Sequence, residues 1–231
     1  MTTNFRLFGP AHLAILGAVP LFAAVLALVQ RRLPAGTKWL RVALGVTLLA
    51  DSAFWYVYLA VTRQPIFPDQ LPLELCDMTL YLTAMALLSL NAAAFDVAYY
   101  WALAGTTMAL LTPNIAVRFP SLATVQFFVY HGLAVSGVLY LLWSGQARPR
   151  PGSVVRAMIA VNILAAFDGI FDWLFKTDYM YLRAKPEHAS LLSFLGPWPW
   201  YIAATEAVAL ALFLLLYWPF RRSRQTGAQA R

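Results

Sequence analysis

The fold class this sequence predicts is an all-α membrane protein, a seven-transmembrane helix bundle with its N-terminus outside and its C-terminus in the cytoplasm. Three observations predict it. Of the 231 residues, 61% are hydrophobic and 12% charged, against about 25% charged in a water-soluble domain. Seven apolar stretches each approach the roughly 20 residues that cross a bilayer core. Eleven of the 17 Lys and Arg fall on one side of those stretches, the side that basic loops assign to the cytoplasm. The net charge of +7 therefore records orientation, and no nucleic-acid partner follows from it. One cysteine excludes an internal disulfide.

In chain order the stretches are 8–30, 40–62, 73–90, 96–112, 122–143, 153–175 and 198–220. The first is followed by "QRRLP" where a signal peptide needs small residues, so it reads as a retained helix. The second runs outward and carries Asp51 near its middle. The third opens on "LPLELCDM", with Cys76 just inside its outer end. The fourth, "YYWALAGTTMALL", is with the third the shortest. The fifth places His131 about nine residues, or about 14 Å, from the outer end. The sixth carries Asn162 and, one turn apart on one face, Asp168 and Asp172. The seventh follows a long outer loop, begins at "GPWPWY" and includes Glu206. The stretches form one domain over 1–220, and "RRSRQTGAQAR" over 221–231 reads as a basic cytoplasmic tail. No internal repeat is present.

Ionisable side chains inside a membrane are costly and tend to face the bundle interior. His12, Asp51, Cys76, Asp77, His131, Asp168, Asp172 and Glu206 form a polar set that converges on the outer half of the bundle, so the sequence predicts one polar cavity there. Each has a structural alternative. Cys76 fills space as most buried cysteines do, or it is a nucleophile with His131 as the base that generates its thiolate. The two differ in depth unless the third helix begins deeper than drawn, which a loop dipping inward at "PIFPDQLP" provides. His12 belongs to the interface or to the cavity, and Asp51 and Glu206 are helix-to-helix partners or site residues. Trp198 and Trp200 form an aromatic belt or, with Tyr179, Tyr181, Arg183 and Lys185, a rim that meets a lipid headgroup. No HExxH-like pair suggests a metal. The three lysines, Lys38, Lys176 and Lys185, all lie in loops, which removes a retinal Schiff base.

Several stretches carry a resemblance over most of the chain. "LPLELC", "YYWALAGTTMALLTPN", "FPSLATVQFFVYHG" and "KTDYMYLRAKP", followed by "SLLSFLGPWPWYI", resemble the YwaF-like integral membrane family, bacterial relatives of the eukaryotic transmembrane protein 164, a glycerophospholipid acyltransferase. The resemblance implies acyl transfer through a cysteine thioester and a histidine, which fall on Cys76 and His131. The chain departs from the family pattern at Glu74, Met108, Asn114, Asp172 and Asp178. The expected activity is a phospholipid acyltransferase in the bacterial inner membrane, acting on phospholipid and lysophospholipid without a cofactor or metal. Asp51, Asp168 or Asp172 is expected to orient His131, and Thr112, Asn114 or Asn162 to donate to the oxyanion. A transporter or binding protein with an acidic cavity, and a lipid hydrolase using the same pair, are the alternatives.

Overall fold

The structure, a computed structural model, describes residues 5–33, 38–114, 119–186 and 190–221, and its architecture is all-helical. A helical stretch coincides with each of the seven apolar stretches. α1 (Pro10–Arg32) begins with proline in its first turn and ends on Arg31 and Arg32, the placements that suit an N-terminus without donors to spare and the negative end of the helix dipole. α2 spans Lys38–Val61. α3 starts only at Leu75 and runs to Ser89; at 15 residues it is about 22 Å long, and residues 62–74 before it hold no helix. α4 (Ala92–Tyr100) starts ahead of the expected position because Asn91 Oδ1 accepts from the amides of Ala93 and Ala94 at 3.0 and 2.9 Å, an N-cap that fixes the first turn. A π-helical turn, Trp101–Thr106, joins it to α5 (Thr107–Leu111). α6 (Leu122–Trp143) is capped by Ser121, and α7 and α8 span Ser153–Phe175 and Trp200–Tyr217.

Five of these helices are long and apolar enough to cross a membrane: α1, α2, α6, α7, and α8 with its extension to Phe220. α3 is apolar but shorter, and the fourth stretch is broken by the π turn. The outward faces are apolar, as at Leu21, Val57, Ile163 and Ile170, all exposed, which suits lipid rather than water.

α6 is the centre. In its membrane-length window 61% of residues are buried, against 11% to 28% in the other four long helices. It packs against α1, α2, α3 and the π turn, while α7 lies on α4, and α8 on α7. The approach of α6 to α3 needs a residue without a side chain: a Cβ on Gly137 would sit 2.8 Å from Thr83 Cγ2 and 3.0 Å from Leu87 Cδ1. Small residues at such crossings bring backbones together where no water is released to drive packing.

The end away from Cys76 is tied by charge. Buried Asp96 on α4 accepts from the backbone and Nε of Arg150 at 2.9 and 2.8 Å, and from Nε and Nη2 of Arg156 at 3.1 and 2.7 Å. Nearby, buried Arg41 on α2 donates to the Leu87 carbonyl of α3. The basic tail beyond Arg221 lies outside the described residues.

Candidate functional site

A cavity of about 530 Å³ opens between the N-terminus of α3, the π turn and α5, the N-terminal half of α6, α8, and residues of 180–186 and 190–195. Both Cys76 and His131 line it. Because α3 begins at Leu75, Cys76 sits in its first turn and is partly accessible, while His131 lies well inside α6 and is 8% exposed. Their different positions along the apolar stretches do not keep the two from one cavity.

The imidazole of His131 is held by its own helix. Nδ1 lies 2.7 Å from the Phe127 carbonyl oxygen. A carbonyl only accepts, so Nδ1 carries the proton of the neutral ring and Nε2 keeps its lone pair. Among the described residues Nε2 makes no hydrogen bond. The ring also stacks on Phe127, with centroids 4.1 Å apart, and meets the edge of Tyr130 at 5.2 Å. A single packed orientation with Nε2 available is what a general base requires.

Carboxylates knit the start of α3 to its surroundings. The Tyr130 hydroxyl donates to Asp77 Oδ1, and the Glu74 amide donates to Asp77 Oδ2 at 3.0 Å. Glu74 Oε2 in turn accepts from the Met180 amide at 3.1 Å. Glu74, on the loop before α3, has its carboxyl pushed up to about 7 by burial, against the lowering effect of the Met180 amide and reinforced by the charges of Asp77, Asp168 and Asp172. Burial also raises the phenols of Tyr179 and Tyr181, so both remain neutral hydroxyls at physiological pH.

The expected site residues divide between the cavity and other tasks. Thr112, Asn114 and Tyr181 line the cavity. The Thr112 hydroxyl donates to the Met108 carbonyl at 3.0 Å, and Asn114 Nδ2 to the Tyr181 hydroxyl at 3.2 Å. None of the three carboxylates expected to orient His131 is its hydrogen-bond partner. Asp51 accepts from Gln126 Nε2 at 3.1 Å, linking α2 to α6. Asp172 Oδ1 accepts from the Thr177 hydroxyl at 2.6 Å and the Tyr179 amide at 3.0 Å. Asp168 is fully buried and neither of its oxygens has a partner among the described residues.

His12 is a bridge rather than a cavity group: its Nδ1 accepts from the Phe8 amide at 2.9 Å, and Nε2 lies 2.7 Å from the Leu110 carbonyl. Asn162 Nδ2 donates to Glu206 Oε1 at 2.6 Å, joining α7 to α8 beside the cavity rather than lining it. Tyr179 is a latch, donating to the Pro68 carbonyl at 2.6 Å and accepting from the Leu71 amide at 2.9 Å. Trp198 and Trp200 are exposed, with Trp198 Nε1 on the Leu182 carbonyl at 3.1 Å. Arg183 Nη1 donates to the Thr177 carbonyl at 3.0 Å, and Lys185 Nζ lies 5.3 Å from the centre of the Tyr201 ring.

Tyr130 and Asp77 are cavity residues that the sequence did not single out as a pair. The signal was present in "VYHG" and "LCDM", each adjacent to a residue that was singled out, but 53 positions separate the partners. The segment between α7 and α8 contributes Met180, Tyr181, Leu191 and Leu195 to the cavity wall.

The model of the TMEM164 family matches residues 7–217. Comparison with curated proteins and with solved structures gives no match in either case.

Proposed function

The chain belongs to the TMEM164 family, and on that premise we propose that it is a membrane-embedded phospholipid acyltransferase of the YwaF-like bacterial branch, working through a Cys76 acyl-thioester with His131 as base. The observation that carries this reading is that Cys76 and His131 line one cavity, with Nδ1 of the imidazole committed to Phe127 and Nε2 left to take a proton. The walls beyond this pair are mostly apolar, from Trp101 and Ala104 to Val208 and Leu212, as an acyl chain requires. In this reading all seven helical stretches cross the inner membrane, with the N-terminus outside and the cavity open to the outer half.

Nε2 of His131 removes the thiol proton as the Cys76 sulfur attacks the ester carbonyl of a phospholipid. The tetrahedral intermediate collapses with cleavage of the ester C–O bond, and the departing lysolipid oxygen takes the proton from His131. A second lysolipid hydroxyl then gives its proton to Nε2 and attacks the thioester; the C–S bond breaks and the proton returns to sulfur. The scheme replaces one difficult step by two easier ones and is ping-pong in form.

Intact mass of the detergent-purified protein, after incubation with mixed phospholipids, tests it. Wild type gains a fatty-acyl mass that hydroxylamine removes, Cys76→Ala gains none, and His131→Ala gains it about 100-fold more slowly or worse. A wild type that stays unmodified across lipids and pH overturns the covalent route. Free fatty acid appearing in place of acylated lysolipid assigns the same pair to hydrolysis.

A further inference from the structure

The cavity is polar at one end and apolar at the other, and Cys76 lies between. A Cβ on Gly105 would fall 2.8 Å from Leu75 Cδ2, so Gly105 is level with the first turn of α3, where Cys76 sits. Trp101, one turn before Gly105, lies toward α4, and Thr112 lies beyond Gly105 on the other side. α8 runs along the same axis in reverse. Near its start the Tyr201 hydroxyl donates to the Tyr181 carbonyl, and near its end the Leu216 carbonyl accepts from the Tyr99 hydroxyl at 3.1 Å. Along this axis Glu74, Asp77, Thr112, Asn114 and Tyr181 line the polar end, and Trp101, Val161, Ala209, Leu212 and Phe213 the apolar end.

Two aromatic residues close the apolar end. Phe213 is buried and packs on Tyr100, with ring centroids 5.0 Å apart. Tyr100 is sealed behind it, its hydroxyl 2.7 Å from Ser153 Oγ. Trp101 directs its indole N–H to the Ala157 carbonyl at 3.3 Å. Both polar handles are thus committed to α7, and ring carbon is left to line the cavity. A ligand that matches such walls is polar at one end and a hydrocarbon at the other.

We propose that the apolar end is an acyl-chain pocket and that Phe213, as its floor, sets the chain length the protein accepts. This rests on the reading of the cavity as a phospholipid site. With the ester at Cys76, the headgroup lies toward Asn114 and Tyr181 and the chain runs down the face of α8. From Thr205 to Phe213 that face covers about 12 Å. Methylenes beyond the floor have no apolar wall to meet and fold back or stay outside.

The test is competitive binding to the full-length, detergent-purified Cys76→Ala protein, which forms no thioester. The probe is an equimolar mixture of saturated lysophosphatidylethanolamines graded in chain length, and native mass spectrometry reads which lengths are bound. Adding Phe213→Ala is expected to move the preferred length upward. Phe213→Leu, a milder change in a buried residue, moves it the same way and decides the matter where alanine does not fold. Ala209→Leu adds carbon to the cavity wall and moves it downward. Each methylene admitted or turned away changes relative occupancy by about fourfold. Every variant meets the same mixture, so the detergent's own preference cancels. A preferred length unchanged in both Phe213 variants overturns the proposal, as does Ala209→Leu moving it upward. The thioester measurement is separate. Shifted lengths with no acyl mass on wild type leave the pocket and its floor standing without acyl transfer. Acyl mass with unshifted lengths leaves the chemistry and removes Phe213 from chain selection.

Discussion

Replacing Glu74 by Gln removes a carboxyl group from the cavity wall and keeps an oxygen to accept from the Met180 amide. Burial holds Glu74 near 7 in place of 4.5, so between those values the folded chain retains a proton that the unfolded chain has released. The stability this group contributes is fully present below 4.5 and is lost as pH rises through about 7. At about 1.4 kcal/mol for each tenfold change in proton affinity, the loss at the alkaline end is on the order of 3 kcal/mol. Glutamine resembles the protonated acid and does not titrate. Unfolding of the detergent-solubilised protein, followed by tryptophan fluorescence across this range, is expected to show the two proteins equal in acid. The variant then becomes the more stable through neutrality, by roughly 3 kcal/mol. Asp77, Asp168 and Asp172 are present in both proteins, so the difference between the curves reports the Glu74 carboxyl together with its coupling to these three. Curves that run parallel from acid to alkaline pH refute the reasoning, as does a variant less stable than wild type above neutrality.

Two further changes separate scaffold from site. Asp96→Ala leaves Arg150 and Arg156 without the carboxylate that both contact; because both arginines are partly exposed, the expected cost is about 2 kcal/mol rather than the larger penalty of a sealed pair. It is read by chemical unfolding, with the acylation rate of the folded fraction unchanged. His12→Phe removes the donor to Leu110 and the acceptor for Phe8 and is expected to cost about 1–3 kcal/mol of stability. It too leaves acylation unaltered, and a loss of acylation without a loss of stability would return His12 to the cavity.

The helical stretches were legible because apolar length and its punctuation by proline, glycine and basic residues are local properties. Two features were not. The recessed start of α3 depends on residues 62–74 being held without helix, partly by Tyr179 from more than a hundred positions away. The π turn depends on packing against α3 that no periodicity records. Within the site, Cys76 and His131 were legible as residue types whose chemistry is rare inside an apolar helix. The group that orients His131 was not, because it is the backbone carbonyl of Phe127, and every residue carries one. Hydropathy also assigns depth without azimuth. The side chains of His12 and Asp51 turn toward Leu110 and Gln126.

Between Trp101 and Thr106 the fourth stretch holds more residues per turn than an α-helix. An α-helix turns by about 100° for each residue, so one surplus residue shifts the phase of everything downstream. Met108 and Thr112, which face the cavity, owe that facing to the count of residues before them as much as to their identity. A one-residue deletion in this turn would leave the hydropathy of the helix almost untouched and swing both side chains roughly a quarter turn away. This segment can therefore drift in sequence far more freely than in length.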